Sequence, residues 1–120
     1  MIDNDLCINL LKEELDKKGW IQLTVHGDSM LPTIKDSDMV TVERCEQYKI
    51  GDIVAYYTII DNNIKIVVHR VVFARKTYVL AKGDNNDFID PLKISLNTVI
   101  GKAEKVVWGK KCVTIIYMEF

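Results

Sequence analysis

After Gly19 the chain abandons helical spacing. It breaks into short runs of β-branched and aromatic residues set off by turn residues. The runs are Trp20–Val25, Met39–Glu43, Ile53–Ile60, Ile64–Ala74, Thr77–Ala81, Val99–Val107 and Cys112–Tyr117. Gly51-Asp52 leads into the third. Asp61, Asn62 and Asn63 sit where a hairpin loop belongs, and Arg75-Lys76 forms a tight connection before Thr77. Trp108-Gly109-Lys110-Lys111 separates the last two runs. Many short strands with turn signals between them predict a mainly β fold: an antiparallel, partly closed, barrel-like sheet.

Before Gly19 the texture is helical. Asp5 is placed to cap a helix over about Leu6–Lys18. Leu6, Leu10, Leu11 and Leu15 form an apolar stripe, and Gly19 suits the position just past the end. This one N-terminal amphipathic helix is read as docking on the core, with a partner or membrane surface as the alternative. The expected organisation is one domain over 1–120: the helix in 1–19, a β core in 20–105 and a C-terminal strand in 106–120.

Charge and composition exclude several functions. Sixteen basic residues stand against seventeen acidic ones, so no basic footprint for nucleic acid is expected. With 48% hydrophobic and 28% charged residues the chain is globular rather than disordered. No apolar run reaches the roughly 20 residues of a membrane span. The first residues, Met1-Ile2-Asp3-Asn4-Asp5, carry acids and no basic region, so no signal peptide is expected. A cytoplasmic location follows as an expectation, with no integral membrane anchor. Cys7, Cys45 and Cys112 form no Cys-x-x-Cys pair. They are read as small apolar residues in a reducing compartment, not as metal ligands. No cofactor or metal is expected.

Three segments could carry chemistry. In His26-Gly27-Asp28-Ser29-Met30-Leu31-Pro32-Thr33 a serine follows a strand in a glycine-containing bend. Such a bend can be an ordinary turn. It can also present a hydroxyl and backbone N–H groups to one point. In Val67-Val68-His69-Arg70 a histidine lies within a strand. Structural burial is the usual fate of such a residue, but imidazole is also the side chain best suited to deprotonate a hydroxyl near neutral pH. Lys82-Gly83-Asp84-Asn85-Asn86-Asp87-Phe88-Ile89-Asp90-Pro91 holds three carboxylates. It is either an Asx-rich loop or the source of an acid that orients His69. It lacks the glycine placement and terminal Glu of a calcium loop.

The order of these pieces resembles a known family. Ser29-Met30-Leu31-Pro32-Thr33, Gly51-Asp52-Ile53-Val54, His69-Arg70-Val71-Val72, Lys82-Gly83-Asp84-Asn85-Asn86 with a further Asp, and Val99-Ile100-Gly101-Lys102-Ala103 occur in sequence. Together they resemble signal peptidase I, within the S24/S26 serine peptidase clan that also contains the self-cleaving SOS repressors. The resemblance spans about Trp20 to Lys105. A histidine before Arg70-Val71, where many members carry a lysine, looks like the endoplasmic-reticulum and archaeal branch.

That resemblance implies Ser29 as nucleophile and His69 as general base. Asp90 is the first choice for the orienting acid, Asp84 the second and Asp87 the third. Gly27, Asp28 and Met30 are implied in oxyanion and substrate binding, with residues near Ile34 shaping the pocket. Gly27 stands where many bacterial members have a hydroxyl. The oxyanion would then rest on backbone N–H groups, including that of Ser29; one donor is worth ~3 kcal/mol of barrier. Where the family's membrane-bound members carry an N-terminal anchor, a charged amphipathic helix is expected here instead.

The expected function is a soluble serine endopeptidase acting on a precursor or leader peptide, with the substrate laid along a strand edge. Two alternatives remain: a catalytically silent peptide-binding module, or a membrane-associated processing enzyme docked through its helix. Lys65 and Lys82 are alternative bases, Lys65 expected to be exposed and Lys82 nearer the loop. Substrate identity and oligomeric state are left open.

Overall fold

The structure, a computed structural model, describes residues 4–106 and the strand Ile115–Ile116. Helix α1 spans Asn4–Lys18. The strands are β1 (Trp20–Thr24), β2 (Met39–Glu43), β3 (Ile53–Ile60), β4 (Asn63–Ala74), β5 (Tyr78–Lys82), β6 (Ile94–Ser95), β7 (Val99–Lys105) and β8 (Ile115–Ile116). A single 3-10 turn, Leu96–Thr98, joins β6 to β7. Most of the expected strands are present within one or two residues. Of the expected Cys112–Tyr117 strand, only Ile115–Ile116 lies within the described residues.

One sheet contains all the strands, in the order β6-β5-β4-β3-β7-β2-β1-β8. The pairs are antiparallel except β1 with β8, which run parallel at Gln22↔Ile115 and Leu23↔Ile116. The sheet is mainly β and antiparallel as expected, and it does not close: β6 and β8 end it. The β3–β4 hairpin turns at Asp61 (φ 51°) and Asn62 (φ 64°). Two successive residues with positive φ make the primed turn whose twist matches paired strands.

Strand β3 explains why there are two cores. Its side chains alternate, and both faces are covered. Ala55 belongs to a cluster with Leu11, Leu15, Ile21, Leu23, Met30, Ile34, Val40, Val42 and Ala103. Its neighbours Val54 and Tyr56 belong to a second cluster with Val71, Val79, Ala81 and Ile94. The register between β3 and β7 slips at Ala55/Tyr56, where Ile100 of β7 is the extra residue.

The helix is rotated from the expected face. Ile8, Leu11 and Leu15 are buried, whereas Leu6 and Leu10 are about half exposed. Spacings of three and four residues put the first set on one line. Leu6 and Leu10 form a second line beside it, which the core does not reach. The helix also begins at Asn4, so Asp5 lies in its first turn rather than capping it. Asn4 instead ties the helix to the β3–β4 hairpin, donating to Asn62 O (2.8 Å) and accepting from Ile64 N–H (3.2 Å). At the far end Gly19 ends the helix as expected, with φ +80° and its N–H on Leu15 O. Cys7 is partly buried. Cys45 is exposed and donates to Gln47 O, so it does not pack as an apolar residue; Cys112 lies outside the described residues.

Candidate active site

The loop that leaves β1 folds back in a tight turn over Gly27–Ile34. Gly27 has φ +97°, a conformation that side chains beyond glycine rarely adopt. Leu31 N–H bonds to Asp28 O and Ile34 N–H to Met30 O, and the Leu31–Pro32 bond is cis. Met30 and Ile34 point inward and are 1% exposed. They anchor the turn in the first core cluster. The expectation that Met30 and the Ile34 region shape a substrate pocket therefore gives way to a structural role: they do not line the groove. Ser29 stays at the surface of the turn, partly exposed.

His69 arrives from the middle of β4, opposite Val54. Alternation places it on the same face as Val67 and Val71, against the second core cluster, and the residue is 8% exposed. Its Nε2 lies 3.0 Å from Ser29 Oγ. Its Nδ1 lies 2.7 Å and 2.9 Å from the two carboxylate oxygens of Asp90. A carboxylate can only accept, so Nδ1 carries the proton. In the neutral ring Nε2 then has the free lone pair, aimed at the serine hydroxyl. A third bond reaches Asp90: Tyr56 donates its hydroxyl to Oδ2 at 2.6 Å. The Asp90 N–H bonds to Ala81 O at 2.7 Å, which fixes the residue at the end of β5.

The other acids of this loop go elsewhere. Asp84 takes a two-pronged bond from Arg70, Nε to Oδ1 at 2.8 Å and Nη2 to Oδ2 at 2.9 Å, and accepts from Thr33 Oγ1 at 2.6 Å. The Arg70 guanidinium holds the Asp84 carboxyl below the usual carboxylate range, with Thr33 adding to the effect. The same bond raises the arginine. Asp84 thus braces the serine turn from behind and does not touch His69. Asp87 is exposed.

Around Ser29, Gly83-Asp84-Asn85 forms a cradle. Asn85 N–H bonds to Ser29 O at 2.8 Å, and Asn85 Nδ2 to Asp28 O at 3.1 Å. A Cβ placed on Gly83 would lie 2.6 Å from Ser29 O. The backbone of this loop therefore approaches the serine as closely as only glycine allows.

Two further candidates change role. The Gly27 N–H is already spent: it donates to Asp36 Oδ1 at 2.8 Å and holds that carboxyl below its ordinary range. It cannot also serve an oxyanion. Lys82 donates to Gly83 O at 3.2 Å, and Lys65 is exposed, as expected. Among the described residues, His69 is the side chain hydrogen-bonded to Ser29 Oγ.

Tyr56 was not singled out in the sequence, and Gly83, Asn85 and Thr33 stood there only within longer segments, with no role of their own. A tyrosine inside an apolar run such as Ile53–Ile60 does carry one signal, because a buried phenol must find a partner for its hydroxyl.

Ser29, His69 and Asp90 lie on the wall of a groove of about 800 Å³ between the end of β1 and the β3–β4 hairpin. Leu23, Val25, Tyr57, Ile66 and Val68 supply apolar surface along it. Asp28 also lines it. Among the described residues no helix is long and apolar enough to cross a membrane, and no cluster of His, Cys, Asp or Glu is arranged to hold a metal ion.

Neither the curated proteins nor the solved structures contain a significant match to this chain. The family described as Peptidase S24-like matches residues 4–104, which takes in α1, the serine turn, β4 and the Asp90 loop. A match over that much of the chain places it in the Peptidase S24-like family.

Proposed function

We propose that this protein is a serine endopeptidase that uses Ser29 as nucleophile, His69 as general base and Asp90 as the acid that orients it. One observation carries the reading. Three residues separated by 40 and 21 positions in the chain meet in a single hydrogen-bonded line, Ser29 Oγ to His69 Nε2 and His69 Nδ1 to Asp90. That line has the chemistry of an activated hydroxyl. His69 takes the proton as Ser29 Oγ attacks a peptide carbonyl. The imidazolium is stabilised by Asp90 and returns the proton to the departing amine. Water then attacks the ester carbon with His69 again acting as base, and Ser29 is released.

For the oxyanion we assign the backbone N–H of Ser29, which makes no hydrogen bond among the described residues. The groove supports an extended peptide bound between the β1 end and the β3–β4 hairpin, its apolar lining facing the peptide's side chains. We place the enzyme nearest the Ser-His branch of signal peptidase I. Histidine rather than lysine at 69 and the Gly83-Asp84-Asn85-Asn86 cradle support this. The client we propose is a cytoplasmic precursor or leader peptide.

The test is intact-mass analysis after exposure to a serine-directed phosphonate, beside Ser29→Ala and His69→Ala. An adduct on the native chain that both variants lose is the expected result. An adduct that persists in Ser29→Ala defeats the assignment. A native chain that neither takes the probe nor cleaves any member of a peptide library would make this a peptide-binding module.

A further inference from the structure

Asp90 has an unusual setting for a group whose orientation matters. It sits in a loop whose neighbours are open to solvent: residues 85–89 and 91–93 are all exposed. Phe88 is 83% exposed and Leu92 69%. Nevertheless the Asp90 side chain is only 13% exposed. Its backbone is held by the bond to Ala81 O, which leaves the side-chain torsions free to turn. Besides His69, the Tyr56 hydroxyl is the side-chain group bonded to the Asp90 carboxylate among the described residues.

Tyr56 is built to hold a fixed position. It comes from β3, in the middle of the sheet, at the bulge against β7. The residue is 7% exposed, and its ring packs in the second core cluster with Val54, Val71 and Val79. A tyrosine has two side-chain torsions, and here the core restrains them. We propose that Tyr56 is a positioning residue: its hydroxyl locks the Asp90 carboxylate against His69 and shares its negative charge. The inference rests on the serine peptidase reading above and adds a fourth member to its line of hydrogen bonds.

Two effects follow. The first is geometric. An Asp90 without the phenol is free to rotate toward the solvent that surrounds its loop, and the imidazole loses its fixed tautomer. The second is electrostatic. A carboxylate that already accepts one strong hydrogen bond offers less charge to its second partner. Tyr56 thus tempers how firmly Asp90 holds a protonated His69. Burial, followed by the bond to Asp90 and its charge, keeps the phenol protonated well beyond the usual tyrosine range. The hydroxyl is therefore a donor at every working pH. Besides Ser29 and Asp90, no side chain among the described residues is hydrogen-bonded to the His69 ring. Arg70 is bound to Asp84, while His26, Asp28, Lys65 and Lys93 line the groove without a hydrogen bond to His69 or Asp90.

Tyr56→Phe keeps the ring and removes only the hydroxyl. The chain has two histidines, so the two imidazoles can be told apart by NMR with His26→Gln as reference. The experiment reads the pH titration of the His69 ring and the rate of phosphonate labelling, in the native chain and in Tyr56→Phe. The expected results are a displaced His69 titration curve, to lower pH where Asp90 turns away and to higher pH where it stays with its full charge, and labelling at neutral pH slowed about tenfold or more. The same substitution made in an Asp90→Ala background should leave both readouts where Asp90→Ala puts them. That double variant also removes the acceptor that Tyr56→Phe would leave unpaired, so it reports even if the single variant is too unstable.

Unchanged titration in Tyr56→Phe, or full additivity in the double variant, overturns the inference. The NMR readout does not depend on catalysis. A native chain that neither labels nor cleaves any member of a peptide library would defeat the peptidase reading, while the titration would still decide whether Tyr56 acts on His69 through Asp90.

Discussion

Adding one methyl group at Gly83 should separate the geometry of Ser29 from the stability of the fold. The Cβ of an alanine there would lie 2.6 Å from Ser29 O and 2.6 Å from Asn86 Nδ2. Asn86 is an exposed side chain and can swing away. The Ser29 carbonyl is backbone, tied to Asn85 N–H at 2.8 Å, and cannot. Reaching even 3.0 Å requires a retreat of 0.4 Å (3.0 − 2.6). The hydrogen bond from Ser29 Oγ to His69 Nε2 is 3.0 Å, so a shift of that size along it would stretch it to about 3.4 Å, past a useful O–H···N contact. Misplacement on the ångström scale costs up to ~100-fold in rate. Overpacking of this kind costs about 1–3 kcal/mol, or roughly 4–12 °C in Tm for a domain of this size. Gly83→Ala should therefore label with the phosphonate about 10- to 100-fold more slowly, with a modestly lower Tm. Native labelling together with native Tm would refute the reasoning, since it would mean that the cradle yields without moving the serine.

Four further outcomes are expected. Gly101→Ala should lose the fold outright, because its Cβ would run into the backbone carbonyl of Glu43, which the pairing of β7 with β2 holds in place; circular dichroism reads this directly. Met30→Ala should cost about 2–5 kcal/mol in urea unfolding, because Met30 fills the core beneath the serine turn; a loss of labelling with full stability would contradict its structural placement. Asp84→Asn should destabilise by about 1.5–3 kcal/mol at pH 7 through the Arg70 bond. The Asp84 carboxyl is held low in the folded state, so its contribution is complete above the unfolded value and is lost as pH falls through the folded one; the gap in Tm between native and Asp84→Asn should close below about pH 4 and not above it.

The sequence by itself determined the elements and most of their ends. Strand residues alternate locally, turns need particular residues, and a glycine stops a helix, so runs such as Met39–Glu43 and Ile53–Ile60 were legible without neighbours. It also marked Ser29 and His69 as candidates, a hydroxyl after a glycine bend and a histidine inside a strand, and the resemblance to signal peptidase I implied their roles. The resemblance ranked Asp90 first as the orienting acid, but the residue types alone did not separate the acids. Asp84 and Asp90 lie six positions apart on one loop, and both are ordinary loop carboxylates in the sequence. The pairing of β4 with β5 and the bond of Asp90 to Ala81 O turn one toward His69, while Arg70, on the opposite face of β4, captures the other. The same holds for the helix. Its composition offered two adjacent apolar lines, and only docking chose Ile8, Leu11 and Leu15 over Leu6 and Leu10. Tyr56 was hidden for a related reason. A strand covered on both faces reads as continuous apolar sequence, so the two adjacent tyrosines, Tyr56 and Tyr57, signal that a buried phenol needs a partner but not which of them has one or what it is. Local physics acts over a few residues and is written in their order; the partners of a carboxylate or a phenol are set by strand pairing across the sheet, and that exists only once the chain has folded.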